Sequence, residues 1–110
     1  MNSKVQSILS YLGIVLWLIA FLLGKDERDD NSKFHLKQGF GLFVVSFVLY
    51  FLGYIIAMVV PPIGNIIVSI IGLGVLILIV IGIINAANEV KKPLPVIGNM
   101  FTNKFTFIDK

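Results

Sequence analysis

Few side chains in this chain could carry out chemistry, and they stand at the edges of long apolar stretches. His35 is the only histidine and is flanked by Lys33, Lys37 and Gln38. A histidine titrates near neutral pH and can relay a proton or bind a metal, but the chain has no cysteine and no second histidine. We therefore expect His35 to be a polar interface residue at the start of a helix. A pH-sensing or proton-relay role is the alternative.

An acidic segment, residues 25–32, is the second polar feature. Its four carboxylates are accompanied by Lys25 and Arg28, and their spacing does not match a calcium-binding loop. We expect a solvated loop without a metal ion, and we expect no cofactor elsewhere in the chain.

Asn85 and Asn88 are the most polar groups of an otherwise apolar region. Because burying an amide without a partner is costly, we expect both to form hydrogen bonds across helices or to reach water at the headgroups. Lining a polar path for a solute is the alternative. No nucleophile–base pair and no phosphate-binding loop is present, so the sequence predicts neither an enzyme nor a nucleic-acid-binding protein.

The elements that must position these groups are apolar helices. Residues 38–88 are 51 consecutive residues without a charge. About 20 apolar residues cross a bilayer as a helix, so this stretch predicts two spans, at about 39–60 and 66–88. Pro61 and Pro62 stand between them and predict the turn. A further stretch without charge, residues 5–24, predicts another span. It lacks a small-residue cleavage site, so we expect it to be retained as a helix.

The composition agrees with this assignment. Of the 110 residues, 57% are hydrophobic and 14% charged, with a mean hydropathy of +0.96, whereas a soluble domain is about a quarter charged. The sequence predicts an all-α integral membrane protein, one membrane domain over residues 1–110, with three transmembrane helices. The polar loop 25–38 ends in an amphipathic lead-in to the second span. Residues 89–110 form an interfacial tail, with Phe101, Phe105 and Phe107 dipping into the membrane.

Small residues four positions apart mark two helix faces. Gly53 and Ala57 form one such pair, and Gly82 and Ala86 form the other. Pairs of this kind let neighbouring membrane helices approach closely, so we expect helix packing at both.

Basic residues predict the orientation, because cytoplasmic loops of membrane proteins are enriched in lysine and arginine. With three spans, eight of the nine basic residues lie on the side of the loop and the tail, and only Lys4 lies on the other. We expect the N-terminus outside, the loop and the C-terminus in the cytoplasm, and contacts with anionic headgroups. The membrane is expected to be the inner membrane of a bacterium.

One part of the sequence is similar to a known family. Phe34, His35, Gln38 and Gly39 precede the second span, and Asn85 and Ala86 close the third, shortly before a proline. This pattern resembles the Tic-twenty-like small membrane proteins, bacterial relatives of a chloroplast inner-envelope protein import component. The resemblance implies a role for these six residues in helix packing and interface placement.

Together these features predict a non-catalytic membrane protein that is a subunit or scaffold of a larger membrane assembly. The resemblance implies protein transport as its process, with other membrane proteins or further copies of the chain as partners. The alternative is a homo-oligomeric channel or transporter for a small polar solute, lined by the sparse polar residues Ser46, Tyr50, Tyr54, Ser69 and Asn85.

Overall fold

A computed structural model describes residues 2–101 and 104–109 and shows four α-helices. They are α1 (Ser3–Leu9), α2 (Ile14–Leu23), α3 (Asp30–Val59) and α4 (Pro61–Ala87). Single turns of 3-10 helix occur at Lys25–Glu27, Gly98–Met100 and Thr106–Asp109. The described residues contain no β-strand, so the all-α prediction is confirmed.

The first apolar stretch folds back on itself. α1 ends at Leu9, and Gly13, at a φ of 126°, precedes α2. This φ lies in a region that glycine adopts readily and other residues rarely adopt. α2 then returns, so that Gly24 at its end lies against the side chain of Gln6 in α1, whose Nε2 donates to the Gly24 carbonyl at 2.7 Å.

The predicted transmembrane span over residues 5–24 is therefore wrong. The ten residues of α2 extend about 15 Å, half the thickness of a hydrocarbon core. Among the residues that the structure describes, only α3 and α4 are long and apolar enough to cross a membrane. The protein thus has two candidate spans and a shorter apolar helix in place of three spans.

The fold-back also moves the N-terminus. The Ser3 hydroxyl donates to the Asp29 carboxylate, and the side-chain amide of Asn31 donates to the Ser7 hydroxyl. The N-terminal residues thus lie beside the polar loop and the start of α3. Lys4 therefore lies at the same end of the molecule as the basic residues of the polar loop, and not alone at the opposite end, where an arrangement with three spans would place it.

α3 begins within the polar loop, well before the predicted span at about 39–60. Asp29 is the N-cap and accepts a hydrogen bond from the Ser32 amide at 3.0 Å, while the Ser32 hydroxyl caps the Asp29 amide in return. Such a reciprocal box satisfies two backbone donors that have no partner within the helix. From Asp30 the helix continues without interruption through the amphipathic lead-in and the second apolar stretch to Val59.

The reversal between α3 and α4 is shorter than predicted. Val60 alone separates the helices, and α4 begins at Pro61. Proline suits the first helical position, where its missing N–H is not needed. The region predicted as a turn, residues 61–65, is therefore the first turn of α4. Gly64 meets the backbone of Ala57 so closely that a Cβ there would lie 2.1 Å from the Ala57 Cα.

The residues after α4 form a tail that packs back onto α3. Phe101 and Ile108 are buried, and Phe105 is half-buried with its ring 4.7 Å from that of Phe40. Phe107 is exposed by 42% and meets the edge of Phe21. The prediction that three phenylalanines dip into the membrane is wrong for Phe101, because its ring covers Gly41 inside the protein.

Candidate functional site

The half of the molecule farthest from Val60 holds a buried cluster of polar side chains, which we call the polar core. Its members are less than 4% exposed, and they come from α1, the following turn and the first three turns of α3: Gln6, Ser7, Ser10, Ser32, His35 and Gln38. Buried polar groups must be hydrogen-bonded to be tolerated. The partners of these hydrogen bonds therefore show which parts of the chain the cluster joins.

His35 joins three parts of the chain. Its Nε2 lies 2.9 Å from the carbonyl oxygen of Val90 in the tail, and its Nδ1 lies 2.6 Å from the hydroxyl of Tyr11. A carbonyl oxygen only accepts, so Nε2 carries the hydrogen and Nδ1 accepts from the tyrosine. Both nitrogens of the neutral ring are thereby satisfied. The ring of Phe34 meets His35 edge-on, with 5.3 Å between the ring centroids.

Gln38 fastens the tail one turn further along α3. Its Nε2 donates to the Gly98 carbonyl at 2.8 Å, and its Oε1 accepts from the Leu94 amide at 3.1 Å. One side chain thus satisfies a backbone acceptor and a backbone donor. The geometry holds residues 94–98 as a closed loop against α3.

Ser10 and Gly39 allow the chain segments to approach closely. The Ser10 hydroxyl lies 2.9 Å from the His35 carbonyl and donates to it, and a Cβ on Gly39 would lie 2.0 Å from the Ser10 carbonyl oxygen. Only glycine fits at position 39. The adjacent Leu36 carbonyl accepts a bond from the indole Nε1 of Trp17 at 2.8 Å, which ties α2 to the same turn of α3.

Arg28 closes the opposite edge of the cluster. Its guanidinium donates to the carbonyls of Ala20 and Phe21 in the last turn of α2, and to the side chain of Gln6. It also lies over the Phe21 ring, 5.0 Å from the centroid. Partial burial lowers the pKa of Arg28, but a guanidinium remains charged throughout the physiological range.

The acidic segment does not form a metal site in the part of the chain that the structure describes. Among the described residues, no three histidine, cysteine, aspartate or glutamate side chains are grouped so that they could hold a metal ion. The pKa of Asp29 is lowered, first by the hydrogen bond from Ser3 and then by the Ser32 amide, against a smaller opposing effect of burial. Its carboxylate is used in capping.

The structure brings four of the predicted site residues together. Phe34, His35, Gln38 and Gly39 form one continuous turn of α3 against α1 and the tail. His35, Gln38 and Gly39 are buried and Phe34 is half-buried, and His35 and Gln38 join the tail to α3.

Asn85 and Ala86 lie at the other side of this cluster, at the end of α4. Ala86 is fully buried beside Tyr11 and Leu94. Asn85 is half-buried, and its backbone carbonyl accepts a bond from the Val90 amide.

The residues predicted for helix packing lie along α3 and α4. Gly53 faces Val68 of α4, with only 2.9 Å between its ideal Cβ and the valine side chain, and Ala57 faces Gly64. Gly82 faces the Tyr11 ring, which a Cβ would approach to 2.5 Å. Pro61 and Pro62 are exposed in the first turn of α4.

Sequence reasoning missed the contribution of the N-terminus to the polar core. The transmembrane span predicted over residues 5–24 contains Gln6, Ser7, Ser10 and Tyr11, and no buried polar contact was predicted for them. Their spacing was the available signal, because positions 6 or 7, 10 and 11 share one face of a helix.

Comparison with known proteins places the chain in a family. A model of the MamF/MmsF family, described as a magnetosome magnetite crystal formation protein family, matches residues 2–101. A UPF0132 membrane protein of Methanocaldococcus jannaschii is 30% identical over 102 residues, which cover 91% of this chain and 68% of the relative. No solved structure matches the chain.

These matches and the fold show that the protein is a small, all-helical member of a membrane-protein family. More particularly, the chain belongs to the MamF/MmsF family. The resemblance to the Tic-twenty-like family is therefore wrong, and with it the expectation of protein transport loses its support. Short matches before and after an apolar hairpin were too little to separate one family of small membrane proteins from another.

Proposed function

We propose that this protein is a non-catalytic integral membrane protein in which the α3–α4 hairpin spans the bilayer, as a subunit or scaffold of a larger membrane assembly. The observation that carries the proposal is the exposed apolar surface of the hairpin. Beyond Ser46 no third helix of the described residues accompanies α3 and α4, and only Gly53 and Gly64 are buried between Phe47 and Gly74.

The size of this apolar surface supports a membrane location. Large side chains along both helices are exposed by 40–84%, among them Phe47, Phe51, Met58, Ile66 and Ile70. Soluble monomers rarely expose contiguous apolar patches of more than a few hundred Å². The apolar part of α3, residues 39–59, extends about 31 Å, which matches the hydrocarbon thickness of about 30 Å.

The distribution of charge supports an orientation. The eight basic residues that the structure describes all lie in the half farthest from Val60: Lys4, Lys25, Arg28, Lys33, Lys37, Lys91, Lys92 and Lys104. Because basic residues favour the cytoplasmic side, we propose that this half, including the N-terminus, faces the cytoplasm. The loop around Val60 faces the opposite side of what we propose is a bacterial inner membrane.

Single-cysteine labelling tests this orientation on the natural cysteine-free background. Asn65→Cys reports on the Val60 end, and Lys4→Cys and Glu27→Cys report on the other. We expect a membrane-impermeant maleimide to label position 65 in intact cells and positions 4 and 27 only after permeabilisation. Labelling of positions 4 and 65 from the same side would contradict the two-span hairpin.

The assembly is tested by extracting the protein into native nanodiscs and measuring the mass of the particle. We expect α3 and α4 to be accompanied by further chains, either other proteins or copies of this one. A particle that contains a single chain and lipid would refute the role as a subunit.

The channel alternative has no specific support in the structure. The hydroxyls of Ser46 and Ser69 donate to carbonyls of their own helices, Leu42 and Asn65, and Ser69 is exposed. These hydroxyls are therefore already satisfied within α3 and α4. Solute flux into liposomes that contain only this protein would support the channel or transporter alternative.

The family description names magnetite crystal formation. The membrane location agrees with the name of the relative from Methanocaldococcus jannaschii, a UPF0132 membrane protein.

A further inference from the structure

We propose that the groove between α3, α4 and the tail is a binding site for one acyl chain of an anionic phospholipid. This inference rests on the membrane location proposed above. The groove, which we call the tail groove, has a volume of about 370 Å³ and an almost entirely apolar lining. It extends from Pro95–Ile97 along α3 from Leu42 to Leu49 and along α4 from Leu78 to Ile71.

The direction of the tail groove suits a lipid chain. The seven helical steps from Leu42 to Leu49 extend about 10 Å and lead away from the charged half toward Val60. A phospholipid whose headgroup lies at the charged end would extend one acyl chain into the membrane along this line. The middle of the groove is open space, because a Cβ added to Gly74 would have no neighbour within 4 Å.

A strained turn forms the entrance of the tail groove. Val96 has a φ of 71°, and the Ile97 amide donates to the Pro95 carbonyl at 2.8 Å. This is the geometry of a γ-turn with a positive central φ, which is rare and strained. For a β-branched residue it is an outlier. The Val96 side chain is nonetheless 97% exposed, so its contacts within the protein do not offset the strain of the backbone.

The ends of this turn are firmly held. The Gly98 amide donates to the Leu94 carbonyl at 2.9 Å, and Gln38 bonds the Leu94 amide and the Gly98 carbonyl. The buried Gln38 thus maintains the turn and presents the apolar Val96 side chain beside the groove. Strain that surrounding structure maintains often marks a ligand site, and an apolar ligand would cover the exposed valine.

Charge complementarity favours an anionic headgroup. Lys91 and Lys92 are exposed and stand four to five residues before Val96, between the end of α4 and the turn. Each basic residue near the surface favours anionic lipid by roughly fivefold in affinity. The chemistry is that of a phosphate-bearing headgroup such as phosphatidylglycerol, with one chain in the tail groove.

The first test is native mass spectrometry of the purified protein in detergent, titrated with phosphatidylglycerol and, separately, with phosphatidylcholine. We expect one phosphatidylglycerol to be retained per chain in preference to phosphatidylcholine. Gly74→Leu fills the groove and should weaken retention about tenfold, because the lipid loses buried methylene contacts. Leu73→Phe is the matched control, since it adds bulk at an exposed neighbour outside the groove.

A second pair of variants separates the headgroup from the chain. Lys91→Gln with Lys92→Gln should reduce the preference for phosphatidylglycerol by about 25-fold. Lys4→Gln with Lys25→Gln removes the same charge at the same end, away from the groove, and should leave the preference unchanged. An equal effect of both pairs would overturn the site and indicate general attraction to anionic lipid.

Val96→Gly provides a test that does not depend on the folding of the Gly74 variant. Glycine adopts a positive φ without strain, so we expect the melting temperature to stay the same or rise while lipid retention falls. Retention equal to the natural protein in this variant would overturn the proposal. So would a change of oligomeric mass, with lipid count unaffected, in Gly74→Leu, because the groove would then be a protein interface. These readouts use the purified chain, so they are independent of whether an assembly partner is found.

Discussion

The polar core makes Gln38→Leu an informative substitution. Leucine has a similar size and suits an apolar environment, but it cannot accept from the Leu94 amide or donate to the Gly98 carbonyl. Leu94 is 2% exposed, so its amide loses its partner in a place that water does not reach. Leaving a buried backbone donor unsatisfied costs about 1–3 kcal/mol. Without this bond the loop over residues 94–98 should open more often.

Hydrogen–deuterium exchange in nanodiscs measures this effect directly. Because about 1.4 kcal/mol corresponds to a factor of ten in an equilibrium, exchange at the Leu94 amide should accelerate by about 5- to 150-fold. Exchange in the middle of α3 should be unchanged. Asn88→Leu is a suitable control, since it replaces an exposed amide close to the same loop. Unchanged exchange at Leu94 in the Gln38 variant would refute the claim that this side chain holds the tail.

Three further substitutions test other contacts. Gly13→Ala should destabilise the fold-back by about 1 kcal/mol or more, because its φ of 126° strains any side chain; an unchanged melting temperature would contradict the turn. Tyr11→Phe removes the hydroxyl that donates to His35 and should lower the free energy of unfolding by about 1 kcal/mol, as chemical denaturation would show. The pKa of Asp29 is lowered in the folded protein, chiefly by the bond from Ser3. Its contribution is therefore complete above the unfolded pKa of about 3.9 and is lost as the pH falls through the folded pKa. Thermal unfolding at pH 2–7 should show this loss in the natural protein and not in Asp29→Asn, which keeps a capping side chain, whereas Asp29→Ala should cost about 1 kcal/mol at pH 7.

The sequence by itself determined the hairpin of two apolar helices. A long stretch without charge must form helices in an apolar environment, since every backbone group has to be satisfied within the segment. The exact start of α4 was not determined in this way. Pro61 and Pro62 were predicted as the turn, but proline also suits the first turn of a helix, and α4 begins at Pro61.

The candidate site was determined by the sequence only in part. The stretch from Phe34 to Gly39 stood out because polar and small residues interrupt an apolar pattern. The hydrogen-bond partners of His35 and Gln38 did not stand out in the sequence. Val90, Leu94 and Gly98 contribute mainly backbone groups, which any residue type offers. The hydrogen bonds that define the polar core were therefore invisible in the sequence.

Only the tertiary structure decided the course of the first apolar stretch. Residues 5–24 satisfy the length and composition of a transmembrane helix, and Gly13 by itself is compatible with a straight helix or with a turn. The fold-back depends on close approaches: Gly39 admits the Ser10 backbone, Gly82 admits the Tyr11 ring, and Gly24 meets Gln6. Each contact joins residues far apart in the chain, and its free energy exists only once both segments are in place.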